Sequence, residues 1–226
     1  MDNDQLKKIN YALIDTFLIA GDRSIELRRI GLKKEIKSDN TPVTNGDIEV
    51  NKILTEKIKN ITSDIPIVSE ESTTNKSNNN LNDFWLIDPI DGTHDYINNK
   101  DEFTLNAGLI INKKPKLGII YAPAKKRLFY TYGNGSSFEL INNKEIQIKC
   151  EKKTKTNQIK AVSYSEKLKP LIEDFHNKFG VTDYQKMKSS LKFCVIATGE
   201  FDLYVAEPRA SEWDIAAGHA ILENAG

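Results

Sequence analysis

The chain places two carboxylates three residues apart in Asp88-Pro89-Ile90-Asp91-Gly92-Thr93, directly after the apolar run Phe84-Trp85-Leu86-Ile87. Pro89 fixes its own φ and biases Asp88 toward extended backbone. Gly92 permits positive φ and close approach of a ligand to the main chain. A strand that stops at Asp88-Pro89 and enters a tight turn can aim both carboxylates, the Ile90 carbonyl and the amides beyond Gly92 at one point. Oxygen-only donors of this kind suit Mg²⁺ or Mn²⁺ rather than zinc. Free amides beside them suit a phosphate oxygen. Asx-Pro turns also occur without any ligand, so the motif alone leaves both readings open.

Four further acids stand at the ends of expected elements. Glu70 and Glu71 follow the short apolar pair Ile67-Val68, where two adjacent acids are equally consistent with a solvated loop. Asp47 fits the third position of a helix whose cap is Thr44, and Asp214 fits the same place after Ser211; each reads first as a capping box. Capping and ligation are compatible, because a carboxylate in a first helical turn is held rigidly. It is the set that points to chemistry: acids before or after apolar strands and helix starts, in one cleft.

The elements that must position these acids follow from periodicity. Leu6, Ile9, Leu13, Phe17 and Ala20 recur at helical spacing, and Gly31 with the charged stretch to Lys37 ends that helix. A second helix follows Thr44, with Ile53, Leu54, Ile58 and Ile61 on one face. Strands are expected over 67–68, 84–87, 103–111, 117–121, 128–132, 138–141 and 145–148. Turn signals separate them at Asn112 to Pro115, Gly133-Asn134-Gly135 and Asn142-Asn143. The segment 73–82 reads as a surface loop. The basic patch Lys152 to Lys160 marks a boundary, after which Ala161 to Ser163 begins a strand, helix and strand alternation. Helices are expected near Glu166 to Lys178, Ser189 to Thr198 and Glu212 to Asn224. The expected organisation is an α+β half over 1–150 carrying most of the acids, and an α/β half over 151–226 carrying Asp214.

Composition bounds the partners. The 226 residues hold 32 Lys+Arg against 32 Asp+Glu, so a broad phosphate-backbone-binding surface and hence nucleic acid are not expected. Hydrophobic residues make up 39% and charged residues 28%, as in ordinary globular chains. The two cysteines, Cys150 and Cys194, form neither a disulfide framework nor a zinc pair. No secretory leader and no transmembrane segment are read from the sequence, and a reducing cytoplasm is the expected compartment.

The acid motifs together resemble the inositol monophosphatase superfamily of Mg²⁺-dependent, lithium-sensitive phosphatases. The resemblance rests on Ser69-Glu70-Glu71-Ser72, on Asp88 to Thr93, and on Trp213-Asp214-Ile215-Ala216-Ala217-Gly218, in that order. Thr41-Pro42-Val43-Thr44, Phe84 to Ile87 with Glu102-Phe103-Thr104, Leu117 to Pro123, and Ser189-Ser190-Leu191-Lys192-Phe193-Cys194 are most similar to its CysQ-type 3'(2'),5'-bisphosphate nucleotidases. The resemblance implies a layered α/β sandwich. It implies that Glu70, Asp88, the Ile90 carbonyl, Asp91 and Asp214 hold two or three Mg²⁺ ions, with Mn²⁺ as a substitute. It implies that Asp47 and Thr93 orient and deprotonate the attacking water. The amides of Gly92, Thr93 and His94 would cradle the phosphate, and Ser189 and Lys192 would contact a small phosphorylated nucleotide. The implied reaction is hydrolysis of 3'-phosphoadenosine 5'-phosphate to AMP and phosphate, by a monomer or a homodimer.

The chain also departs from that pattern. His94 stands where the branch often has Lys. Ala206 stands where the nucleotidases have a phosphate-binding Arg, with Arg209 as the nearest substitute. Ser163-Tyr164-Ser165 differs from the usual S-x-S-H. Relatives normally continue past the equivalent of Gly226 through further strands of the second sheet, so those strands are expected to be missing. Two alternatives stay open at this point: an inositol or sugar phosphate phosphatase, and a shortened relative that binds metal or nucleotide without turnover. A calcium-binding loop of the D-x-[DN]-x-[DN]-G type does not occur.

Overall fold

A computed structural model describes residues 1–226 apart from 39, 73–75, 77, 79, 134, 151–157 and 209. Parts of the expected 73–82 loop, Asn134 of one turn, most of the Lys152 to Lys160 patch, and Arg209 lie outside the described residues.

The opening helix, α1 (Asn3–Ile30), begins at an Asp2–Gln5 capping box and ends at Gly31, whose φ of 111° no side chain adopts comfortably. The charged stretch beyond it is not only a breaker. It forms β1 (Lys34–Ile36), paired antiparallel with β2 (Pro42–Thr44). The second helix, α2 (Asn45–Ile61), starts at Thr44 and Asp47 as its capping box predicts.

Seven strands follow in one sheet: β3 (Ile67–Ser69), β4 (Phe84–Asp91), β5 (Thr104–Ile111), β6 (Lys114–Ala122), β7 (Arg127–Thr131), β8 (Ser137–Ile141) and β9 (Lys144–Gln147). They lie in sequence order, with only β3 and β4 parallel. A short helix, α3 (Thr93–Ile97), follows β4 directly. The second sheet is small: β10 (Ile159–Ser163) lies between β11 (Val181–Lys186) and β12 (Leu203–Tyr204), parallel to both. Three helices complete the described chain: α4 (Pro170–Phe179), α5 (Leu191–Ala197) and α6 (Glu212–Ala225). The α4 helix starts four residues later than expected, because Pro170 takes its first turn, where a missing N–H costs nothing.

Strand alternation sorts the side chains into layers. Trp85, Ile87, Leu105, Ala107, Leu109, Ile119 and Tyr130 pack against α1 and α2. Leu86 and Ile110 face the other way, onto Ala216 of α6, and Ile120 and Phe129 onto α5 and α6. Those two helices are themselves covered by the second sheet through Val162. The result is a layered α/β sandwich. The α6 helix lies across β4 to β8, so it crosses the boundary expected near Cys150. Its approach is close: a Cβ at Gly118 would lie 2.3 Å from the Ala217 carbonyl oxygen. No helix of the described residues is long and apolar enough to cross a membrane.

Candidate active site

The β4 strand does not stop at Asp88. It runs to Asp91, with a bulge: Asp88 pairs with Asn106 and Asp91 with Thr104, so three steps on β4 oppose two on β5. In a regular strand, residues three apart face opposite sides. The extra residue turns Asp91 to the same face as Asp88, the face beneath α6. Pro89 sits inside the bulge, where no ladder hydrogen bond asks for its missing N–H. The turn comes one step later, at Gly92, with φ 91°; a Cβ there would meet the Glu102 carbonyl oxygen at 2.7 Å.

Four segments bring their acids to this place. Asp88 is buried, and burial first, then repulsion from Asp91, Glu70 and Asp214, holds its carboxyl well above the usual carboxylate range. Burial also raises Asp91, against the pull of Lys192 and of Ser190. Burial, then Asp91, lifts Asp214 to about 6. Asp214 stands at the start of α6, where its Oδ2 accepts from the Ser211 N–H at 2.9 Å. Ser190 ties the parts together. Its N–H (2.5 Å) and hydroxyl (2.6 Å) both reach Asp91 Oδ2, and the hydroxyl also lies 2.9 Å from the Asp214 carbonyl.

Asp47 and Thr93 meet at the edge of this cluster. Asp47 Oδ2 accepts from the Thr44 N–H (2.8 Å) and hydroxyl (2.6 Å). That leaves Oδ1 for the Thr93 hydroxyl at 3.2 Å. Burial raises the Asp47 carboxyl in spite of those bonds. The Ile90 carbonyl is engaged too, 3.0 Å from Thr93 Oγ1.

The other expected residues are placed less directly. Ser189 is buried, its hydroxyl without a hydrogen-bond partner among the described residues. Lys192 is also buried, its ammonium on the carbonyls of Lys188 (3.0 Å) and Ser189 (2.9 Å) and beside the Phe193 and Tyr204 rings. His94 is exposed, with Nδ1 3.4 Å from Asp95 Oδ1. Two contributors lie outside the expected set. Lys37, after β1, bridges Glu70 (3.2 Å) and Glu71 (2.8 Å). Ser190 belongs to a nucleotidase-like motif but not to the expected site residues. Neither carries a local signal, since each acts on an acid more than thirty positions away.

The donor set fits a divalent cation. Its groups are carboxylates and a carbonyl, the ligands of hard cations. The acids repel one another, and Asp88 Oδ1 is buried with no hydrogen-bond partner among the described residues. No three His, Cys, Asp or Glu side chains of the described residues already surround a single point. Lys37 holds Glu70 through Oε1, and Ser190 holds Asp91 through Oδ2.

The family model for the inositol monophosphatase family matches residues 2–226. The chain belongs to the inositol monophosphatase family. Among curated members it is 36% identical over 192 residues to the 3'(2'),5'-bisphosphate nucleotidase CysQ of Salmonella typhimurium, covering 84% of this chain and 76% of that one. It is 38% identical to the CysQ of Buchnera aphidicola, with 84% and 71% covered. A crystal structure of CysQ from Bacteroides thetaiotaomicron superposes with a TM-score of 0.75 at 29% identity, over 96% of this chain and 86% of that one. An inositol monophosphatase from Thermotoga maritima reaches 0.80 at 22% identity, over 97% and 84%, a likeness of fold. An inositol monophosphatase family member with these relatives is a phosphatase, and its layers are those of the family.

Proposed function

We propose that this chain is a Mg²⁺-dependent 3'(2'),5'-bisphosphate nucleotidase that hydrolyses the 3'-phosphate of 3'-phosphoadenosine 5'-phosphate, giving AMP and phosphate. The observation that carries the reading is its match, at 30–38% identity, to relatives named CysQ nucleotidases. The neighbours described as inositol monophosphatases lie at 19–23% identity and speak for the fold alone.

Glu70, Asp88, Asp91, Asp214 and the Ile90 carbonyl would hold the cations, which supply Lewis acidity toward the phosphoryl oxygens and the attacking water. The rest falls to the protein. Asp47 is fixed by Thr44, and its raised carboxyl can take a proton through the Thr93 hydroxyl at 3.2 Å. Thr93 thereby orients the nucleophile, and no histidine is required for it. The amides of Gly92, Thr93 and His94 would hold phosphate oxygens where the chain turns. Ser190 keeps Asp91 and the start of α6 at a fixed spacing. Ser189 and Lys192 would lie on the nucleotide side.

A substrate panel with purified protein tests the proposal. Phosphate release from the bisphosphate nucleotide should require Mg²⁺, be inhibited by lithium, and exceed release from inositol 1-phosphate. Preference for inositol 1-phosphate would move the assignment to the other branch of the family. No Mg²⁺-dependent release from any substrate would leave a relative without turnover.

A further inference from the structure

Buried polar side chains are nearly always hydrogen-bonded, so those that are not point to something that completes them. Seven unpaired buried side-chain atoms occur among the described residues, and five belong to one neighbourhood: Asp88 Oδ1, Thr104 Oγ1, both amide atoms of Asn106, and Ser189 Oγ. Strand register explains the gathering. Asn106 on β5 is the direct partner of Asp88 on β4, and Thr104 is the partner of Asp91. Residues opposed in this way aim at the same face, with Cβ atoms about 5 Å apart.

Asn106 is 1% exposed and, with Thr104, is one of two polar side chains in its strand. Its other cross-strand partner, on β6, is Ile120, which offers no polar group. Two residues along, Gly108 lies directly under Ala216 and Ala217 of α6, so this row faces the helix that carries Asp214. Exchanging the amide oxygen and nitrogen changes nothing, because both atoms are unpaired. If Asn106 served packing alone, an isosteric apolar side chain would fill the place at lower cost. A primary amide instead supplies a donor and an acceptor beside a carboxylate whose own Oδ1 has no partner.

We propose that Asn106 is a positioning residue of the cation site: its amide, like Asp88 Oδ1, has no partner among the described residues here, and it would engage the Asp88 carboxylate when that group turns to receive the ion. The inference rests on the divalent-cation reading above. Hydrogen-bonding groups behind a ligating carboxylate typically change metal affinity by roughly 10–100-fold when removed.

Mn²⁺ is the probe, its free concentration followed by electron paramagnetic resonance, with thermal unfolding in EDTA as the structural readout. Asn106→Leu should unfold in EDTA at or above the wild-type temperature, because two unpaired buried groups are gone. Its Mn²⁺ affinity should nonetheless fall by roughly tenfold or more. Should Asn106→Leu fail to fold, Asn106→Ser carries the test. Its shorter hydroxyl cannot span the strands to Asp88, and the same weakening is expected. Mn²⁺ binding within twofold of wild type in the folded variant overturns the inference while the cation reading stands. A wild-type protein that binds no Mn²⁺ overturns both.

Discussion

Replacing Asp214 by Asn should stabilise the metal-free protein at neutral to alkaline pH and weaken its response to Mg²⁺. Burial and the neighbouring Asp91 lift the Asp214 carboxyl from 3.8 to about 6. A shift of about two pKa units opposes folding by on the order of 3 kcal/mol once the group ionises. Asp214 is only half-buried, and solvent screening brings that to about 1–2 kcal/mol. Asn keeps the side-chain oxygen that accepts from Ser211 N–H, so the cap survives. It gives up the negative charge in the first turn of α6, worth about 0.3–1 kcal/mol. The net gain is about 1 kcal/mol, or about 2–4 °C in the unfolding midpoint for a chain of this size.

The pH dependence carries a definite sign. A carboxyl whose pKa is raised by folding binds its proton more tightly in the native state. The wild-type protein therefore loses stability in EDTA as pH rises through about 6. Asp214→Asn lacks that titration, so the two midpoints should converge below about pH 4 and separate by about pH 8. Mg²⁺ should then restore the wild type, by about 2.7 kcal/mol at a hundredfold excess over the dissociation constant. The variant, one donor short, should gain less. Thermal unfolding at both pH values, with EDTA and with Mg²⁺, reads all four quantities. A variant less stable than wild type in EDTA at about pH 8, or one raised equally by Mg²⁺, would refute the reasoning.

Thr93→Val removes the hydroxyl between Asp47 and the turn while filling its volume. Turnover should fall by about 10²–10⁴-fold with Mn²⁺ affinity unchanged, and a fall in affinity instead would place Thr93 among the ligands. Gly118→Ala should destabilise the fold by about 1–3 kcal/mol or more, because its Cβ would meet the Ala217 carbonyl; an unchanged midpoint in thermal unfolding would contradict the close packing of α6 on β6.

Much of the architecture was legible locally. The caps at Thr44 and Ser211 follow from spacing, and both helices begin there. The α1 helix ends at Gly31, and the expected strands from 84 to 148 are all present. Other features were misplaced for physical reasons. The Asp88-Pro89 step reads as a strand end because Pro cannot join a ladder. A bulge removes that objection, and a bulge depends on the partner strand rather than on the residues inside it. The β1–β2 pair was missed because three-residue strands carry too little alternation to stand out among charges.

The amino-acid sequence by itself determined which acids exist, which of them begin helices or follow strands, and the family whose motifs they spell. Capping, turn chemistry and periodicity are properties of neighbours in the chain. Only the tertiary structure decided which face each acid takes and what stands beside it. The β4 bulge turns Asp91 to the side of Asp88, α6 crosses the sheet to deliver Asp214, and Lys37 and Ser190 grip Glu70 and Asp91 from distant segments. Those contacts, and the unpaired amide of Asn106 opposite Asp88, arise from strand register and helix packing, which join residues that no local window contains together.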